Sequence, residues 1–179
     1  MVSGTWADHR GQGWPVLPAR DAGSLARFWK AILGFQEEPA RGERRELFYE
    51  DGVSTVNGAA VPKERFRLGL DPAQPARVAE ILRLPVSWFE HALGSPYLEF
   101  YEKAELRQAF EKKVKDSGGR ISLSRADNEC DGIGYVIEDP EGNKVELCFT
   151  CCGIDKAQDW RWLPAPSHGS DDGYRTRGE

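Results

Sequence analysis

The chain has 179 residues, of which 40% are hydrophobic and 30% charged, and its formal net charge is −5. This composition excludes a disordered protein and a membrane protein, since a spanning helix would need roughly 18 consecutive apolar residues and no such run occurs. The acidic balance argues against a nucleic-acid-binding surface, and the first 25 residues lack the apolar segment of a secretory signal.

The first clear pattern is a strand followed by a helix. Residues 14–19 predict a strand, which two prolines restrict to a sheet edge or a strand start. Asp21 stands at an N-cap position and Gly34 at a C-terminal stop. Between them, five large apolar residues recur at the spacing of one helix face: Leu25, Phe28, Trp29, Ile32 and Leu33. We therefore expect an amphipathic helix over residues 22–33.

The middle of the chain is patterned more weakly. Four short strands are predicted here, at residues 35–40, 45–50, 54–61 and 65–70. Residues 75–82 favour a short helix, because a proline such as Pro75 is tolerated in the first helical turn. Residues 85–94 are predicted to hold a further helical turn.

The same order of elements recurs in the second half. Residues 97–101 predict a strand, and an apolar stripe at helical spacing predicts a helix at about 103–117. Three further strands are predicted, at residues 120–125, 132–138 and 144–149. Each half thus reads strand–helix–strand–strand–strand. This repetition predicts an internal duplication and an α+β fold in which two small sheets face each other across a cleft.

Two motifs carry a family resemblance. Residues 15–21, with the Phe28-Trp29 pair and Leu33-Gly34-Phe35 behind them, resemble the opening of bleomycin-resistance proteins. These belong to the vicinal oxygen chelate superfamily, together with glyoxalase I, fosfomycin-resistance enzymes and extradiol dioxygenases. The run DPEGNKVEL at residues 139–147 is similar to the last hairpin of that superfamily.

The resemblance covers residues 13–150 and implies a domain organisation. It implies two βαβββ modules, at about residues 13–70 and 96–150, whose sheets enclose the cleft. Residues 1–12 would then form an N-terminal arm. Residues 151–179 would form a C-terminal extension and a frayed tail, with Trp160 and Trp162 packing the extension onto the body.

The resemblance also places three metal-ligand positions, on Trp14, Tyr97 and Glu146. An indole does not ligate through its N–H and a neutral phenol is a poor ligand, so a lone carboxylate remains. We therefore expect no metal and no cofactor. The alternative is an altered site completed by His91, because the other two histidines lie in the terminal segments.

The predicted cleft is aromatic and acidic. Side chains alternate between the two faces of a strand, so Glu146 shares a face with Cys148, and Tyr97 with Glu99 and Tyr101. Tyr135 is a predicted neighbour on the penultimate strand. The predicted ligand-binding set is therefore Trp14, Tyr97, Glu99, Tyr101, Tyr135, Glu146 and Cys148.

These residue types favour a flat cationic ligand. A cation over a Trp or Tyr ring gains roughly 0.5–2 kcal/mol, and carboxylates add electrostatic attraction. The leading hypothesis is non-catalytic sequestration of a cationic aromatic antibiotic or similar metabolite, as in bleomycin-resistance proteins. The alternative is a lyase, isomerase or dioxygenase with an altered metal site, or with acid–base chemistry on Glu99 and Glu146.

The remaining expectations concern location and assembly. Four cysteines and no secretory signal predict a reduced cytoplasmic chain, and no basic group is placed to activate Cys148 or Cys151 as a nucleophile. The resemblance implies a homodimer in which residues 1–19 contribute to the partner's surface, with Pro15 and Pro18 as a stiff hinge. The competing outcome is a monomer whose two modules close one cleft. No nucleic-acid or membrane partner is expected.

Overall fold

The computed structural model describes residues 14–50, 53–56, 59–62, 65–77, 80–85, 102–125, 133–148 and 160–164. The elements are, in chain order, β1 (Val16–Pro18), α1 (Ala22–Leu33), β2 (Gln36–Glu37), β3 (Arg45–Glu50), β4 (Val53–Val56), β5 (Ala59–Pro62), β6 (Arg65–Asp71), β7 (Glu80–Pro85), α2 (Ala104–Asp116), β8 (Arg120–Arg125), β9 (Ile133–Glu138), β10 (Lys144–Cys148) and β11 (Arg161–Pro164). None of the helices in this part of the chain is long and apolar enough to span a membrane.

Helix α1 begins and ends where its sequence signals predict. The Asp21 side chain accepts a hydrogen bond from the backbone N–H of Ser24 at 2.9 Å, and this bond lowers the pKa of Asp21. Gly34 adopts a left-handed conformation with φ 73°, and its N–H donates to the Lys30 carbonyl. The apolar stripe is buried, with Trp29 and Ile32 fully inaccessible.

The two sheets repeat one topology. The first has the order β1-β6-β3-β2, with β1 parallel to β6 and the other pairs antiparallel. The second has the order β11-β7-β10-β9-β8, with β7 parallel to β10. Apart from β11, each sheet therefore places its first strand beside its last. This repetition confirms the predicted α+β fold of two modules. The β4–β5 hairpin is an insertion in the first module.

The start of the second module differs from the prediction. Residues 80–85 form a strand, so the expected helix at 75–82 is wrong. Residues Ile81 to Leu84 are all buried, as in a parallel strand covered on both faces, and such a run has no helical spacing. Because β7 is the parallel partner of β10, the second module begins near residue 80 rather than near 96. The strand predicted at 97–101 lies outside the described residues.

The C-terminal extension contributes a strand. Strand β11 pairs antiparallel with β7, and Trp160 and Trp162 pack against the hydrophobic core. The Arg77 guanidinium lies 4.1 Å from the centre of the Trp162 ring, a cation–π contact. The predicted packing of these tryptophans onto the body is confirmed, and the extension covers the outer edge of β7.

The turn between β9 and β10 joins the two modules. Asn143 Nδ2 donates to the Pro18 carbonyl at 2.9 Å, and the Glu141 carboxylate accepts from the backbone N–H groups of Arg20 and Asp21 at 2.7 and 2.8 Å. The predicted turn at residues 139–143 thus sits on the start of α1. This contact orients the two sheets relative to each other.

Candidate functional site

Each sheet has one apolar face under the helices and one polar face. On the first sheet, Leu47, Leu68 and Leu70 are fully buried in the core with α1. Strand alternation therefore turns Glu46 and Arg67 to the other face. We call this face of the first sheet the charged face. Its described side chains include Glu38, Arg44, Glu46, Arg67 and Asp71, and it also carries Val16, Gln36, Phe48 and Gly69.

Arg44 bridges two carboxylates on the charged face. Its Nε lies 3.2 Å from Glu46 Oε1, and its Nη1 lies 3.4 Å from Asp71 Oδ2. A Cβ atom at Gly69 would come within 3.1 Å of Arg44 Nη2 and 3.1 Å of Val16 Cγ2. Glycine at position 69 therefore leaves the space in which the guanidinium lies across the sheet.

Among the side chains that the structure describes, the charged face carries three half-buried carboxylates and two guanidinium groups. Arg67 Nη1 pairs with Glu38 Oε1 at 3.4 Å, in addition to the two contacts of Arg44. Burial raises the pKa of Glu46, while the positive charges of Arg44, Arg67 and the exposed Arg41 oppose this rise. Glu46 is therefore a carboxylate whose charge its partners compensate only in part.

The second sheet carries a buried ion pair. Arg83 on β7 and Glu146 on β10 lie directly opposite each other in the parallel register. The Arg83 Nε donates to Glu146 Oε2 at 2.7 Å, and the two side chains are only 9% and 8% exposed. Both face away from α2, because Leu82, Leu84, Val145 and Leu147 occupy the core face.

The structure moves Tyr135 out of the predicted ligand-binding set. Tyr135 lies opposite Leu147 in the antiparallel register, on the face opposite Glu146. Its ring packs on Phe110 of α2, with ring centroids 6.2 Å apart, and its hydroxyl lies 3.4 Å from Glu111 Oε1. Burial raises the pKa of Tyr135 to about 12. The expectation that Tyr135 faces the cleft is wrong, because the ring completes the core under α2.

The other predicted site residues divide into two groups. Glu146 faces away from the helix layer, as strand parity predicted, and Trp14 is half-buried against the core just before β1. Cys148 ends β10 opposite Gly134, but its side chain lies outside the described part of the structure. The same holds for the whole of Tyr97, Glu99, Tyr101 and His91, whose roles stay predictions.

The most prominent charged groups were not anticipated from the sequence. Arg83 interrupts the apolar run Ile81–Leu84, and a lone charge in such a run signals a buried ionic partner. The charged face had a similar signal, since Glu46 and Arg67 each precede a buried leucine in a strand. The sequence did not indicate which carboxylate pairs with each arginine.

Comparison with known proteins then identifies the family. Residues 11–147 match the family model described as Glyoxalase/Bleomycin resistance protein/Dioxygenase superfamily. The chain belongs to this superfamily. The match to the family model does not distinguish the bleomycin-resistance branch from other branches. No curated protein matches the chain.

Several solved structures resemble the chain at low identity. An enzyme of the glyoxalase/bleomycin resistance protein/dioxygenase family from Burkholderia phytofirmans PsJN is 13% identical, with 75% of this chain and 94% of that chain covered and a TM-score of 0.47. The genomically encoded fosfomycin resistance protein FosX from Listeria monocytogenes is 14% identical, with 83% and 91% covered and a TM-score of 0.43. An integron cassette protein from the mobile metagenome of a Halifax Harbour sewage outfall is 13% identical, with 76% and 97% covered and a TM-score of 0.43.

The metal centre that membership of this superfamily implies does not fit the residues present. Glu146 is bound by Arg83, whose guanidinium approaches the carboxylate at 2.7 Å. A divalent ion at this carboxylate would lie about 2.0–2.2 Å from its oxygens and would meet a fixed positive charge there. Among the described residues, no three His, Cys, Asp or Glu side chains are grouped to hold an ion.

The start of the second module offers no replacement ligand. Because β7 is its first strand, the residues of that strand that share a face with Glu146 are Ile81, Arg83 and Pro85. Glu80 shares strand parity with Leu82 and pairs with Arg77 at 2.6 Å. It therefore lies on the face opposite Glu146, and Glu80 and Glu146 do not converge on one ion.

Proposed function

We propose that this member of the superfamily binds and sequesters a small cationic aromatic molecule, an antibiotic or a similar metabolite, without transforming it. The observation that carries the proposal is the half-buried Glu46 carboxylate, on a face whose described side chains include three carboxylates and two guanidinium groups. A positively charged ligand group beside Glu46 would complete the charge balance that Arg44 and Arg67 leave incomplete.

The geometry of Arg44 favours this reading. One guanidinium divides its contacts between Glu46 and Asp71, at 3.2 and 3.4 Å, so it neutralises neither carboxylate fully. Burial of Glu46 strengthens its attraction for a cation, because electrostatic interactions gain strength as water is excluded. Arg44 and Glu46 thus form a polar anchor that a ligand ammonium or guanidinium group can join.

The aromatic part of the proposal rests on the sequence. Trp14 is half-buried and precedes β1, the strand whose Val16 lies on the charged face. Tyr97 and Tyr101 would add stacking surfaces and Glu99 a further carboxylate, if the predicted strand parity holds. This residue set favours planar heteroaromatic ligands with a cationic tail, as in bleomycin-family glycopeptides.

Calorimetric titration with a metal-free bleomycin-type compound tests the proposal. Wild-type protein should bind one equivalent, and Glu46→Gln should weaken binding about fivefold to tenfold, the loss of roughly 1–1.4 kcal/mol from one partly buried charge contact. Glu37→Gln is the matched control, because Glu37 pairs with Lys30 on the opposite, helix-covered side. Mass spectrometry should recover the compound unchanged after incubation.

Two outcomes would contradict the proposal. Absence of binding up to high micromolar concentration would remove the bleomycin-type ligand, and chemical conversion of the compound would show an enzyme. Elemental analysis discriminates the alternative function. A stoichiometric nickel, zinc, manganese or iron ion in purified protein would favour a lyase, isomerase or dioxygenase instead.

A further inference from the structure

The Arg83–Glu146 pair occupies the position at which the superfamily resemblance places a metal-ligating carboxylate. We propose that the Arg83 guanidinium is a permanent internal cation that replaces a divalent metal ion at Glu146. A single substitution at position 83 should then convert this site into a metal-binding one. The inference concerns the polar face of the second sheet and holds whatever ligand the charged face binds.

The register of the two strands makes the replacement possible. Arg83 and Glu146 are direct neighbours in a parallel strand pair, so their side chains leave the sheet side by side on one face. The Nε–Oε2 distance of 2.7 Å is that of a charge-assisted hydrogen bond. The guanidinium therefore stands within the first coordination sphere that a metal ion at this carboxylate would occupy.

The chemistry of arginine makes the replacement permanent. A guanidinium keeps its proton throughout the pH range in which proteins fold, so this cation is not lost by deprotonation. Both side chains are more than nine-tenths buried, where a second positive charge beside Arg83 would be strongly repelled. A metal ion could be removed by a chelator, but this cation cannot.

The surroundings of the pair leave few other ligands. Ile81 shares strand parity with Arg83, and Val136 lies opposite Glu146 in the register with β9. These two neighbours are aliphatic and donate nothing to a metal. Cys148 shares strand parity with Glu146, and its side chain lies outside the described part of the structure. Within the described residues, the ligands of a converted site would therefore be Glu146 and the side chain introduced at position 83. An imidazole and a carboxylate together suit nickel, zinc or cobalt.

The experiment introduces the imidazole as Arg83→His. Calorimetry and cobalt absorption spectra should show one Ni²⁺ or Co²⁺ bound per chain with micromolar affinity, whereas wild-type protein binds none at Glu146. The double variant Arg83→His/Glu146→Gln should lose at least tenfold in affinity. Arg67→His is the matched control, because it places a histidine beside a carboxylate, Glu38, on the other sheet. Any binding by that control should be indifferent to Glu146→Gln.

Three results would overturn the inference. The first is stoichiometric metal in wild-type protein that Glu146→Gln removes. The second is a folded Arg83→His variant that binds no metal. The third concerns an Arg83→His variant that is unfolded without metal. Ni²⁺ should then restore its folding, and a variant that stays unfolded with Ni²⁺ contradicts the proposal. Titration of the same variants with the bleomycin-type compound reports on the proposed function separately.

Discussion

Trp29 and Asp139, which are 110 residues apart in the chain, share a buried hydrogen bond in which the indole Nε1 donates to Asp139 Oδ2 at 3.3 Å. The same carboxylate accepts from the backbone N–H groups of Glu141 and Asn143, both at 2.9 Å, and from Asn143 Nδ2 at 2.8 Å. One aspartate thus closes the turn of the last hairpin and attaches it to helix α1 of the other module. It is one of several contacts between this turn and the first module, together with those of Asn143 and Glu141.

Removal of the Asp139 carboxylate should therefore destabilise the whole domain. Asp139→Ala leaves buried donors without an acceptor, and we expect a loss of about 2–4 kcal/mol in the free energy of unfolding. Asp116→Ala is the control, because Asp116 pairs with Lys112 on the exposed surface of α2 and should cost less than about 0.5 kcal/mol. Urea denaturation measures both. Equal losses would show that the carboxylate does not hold the modules together.

The same carboxylate should leave a signature in the pH dependence of stability. Burial raises the pKa of Asp139 above its ordinary value of 3.8, against the opposing effect of its hydrogen bonds. Between these two pKa values the folded state holds a proton that the unfolded state has released, so stability falls as pH rises through this window. Asp139→Asn should lack this fall, and an unchanged profile would contradict the raised pKa.

Gly119 lies where the two modules touch and should tolerate no side chain. A Cβ atom there would come within 2.7 Å of the Phe28 ring and 2.9 Å of the Glu138 carbonyl oxygen. We expect Gly119→Ala to cost about 1–3 kcal/mol of stability. In contrast, Gly23→Ala in helix α1 meets only Asp21 Oδ1 at 3.5 Å and should gain up to about 1 kcal/mol. Thermal unfolding of the two variants should shift in opposite directions.

The Arg83–Glu146 pair should behave as a coupled unit. Arg83→Met or Glu146→Leu alone leaves a buried charge uncompensated and should cost about 3–5 kcal/mol. The double replacement Arg83→Met/Glu146→Leu should be nearly neutral, because apolar side chains of similar volume avoid the desolvation of both charges. Denaturant unfolding of the complete cycle measures the coupling. Additive losses would show that the two side chains do not interact.

Tyr135 should contribute to packing and not to ligand binding. Its hydroxyl contact with Glu111 is long, at 3.4 Å, so Tyr135→Phe should lose at most about 1 kcal/mol of stability. Affinity for the cationic ligand should be unchanged, since the ring lies under α2. In the wild type, the phenolate absorbance of one tyrosine should appear only near pH 12, and Tyr135→Phe should remove it. Weakened ligand binding in this variant would show that Tyr135 contributes to the ligand-binding site.

A homodimer that uses residues 1–19 remains our prediction for assembly. Deletion of residues 1–12 should then lower the mass measured by light scattering from that of a dimer to that of one chain, or weaken the association markedly. Deletion of residues 165–179, which follow β11, is the control and should leave the mass of the assembly unchanged. A mass of one chain for both the full protein and the arm deletion would show that the arm has no role in assembly.

Local patterns in the sequence were sufficient for part of this structure. The caps and apolar spacing of α1 predicted it to the residue, because Asp21, Gly34 and the buried stripe act within a few turns of one another. The repeated order of elements predicted two modules, and strand parity predicted that Glu146 faces away from the core. These properties depend on neighbours in the chain, which the sequence contains directly.

Tertiary structure alone decided which distant groups meet. Tyrosine is a residue type that ligand-binding sites often contain, yet the register of β9 places the Tyr135 ring under α2. Residues 80–85 lack the alternating pattern of a half-buried strand, and they form a strand that pairs with β10 on one side and β11 on the other. Arg83 forms an ion pair with Glu146, although the two residues are 63 positions apart in the sequence. A strand's partner is set by the packing of the whole core, so the charge that a buried carboxylate meets cannot be deduced from the residues around it.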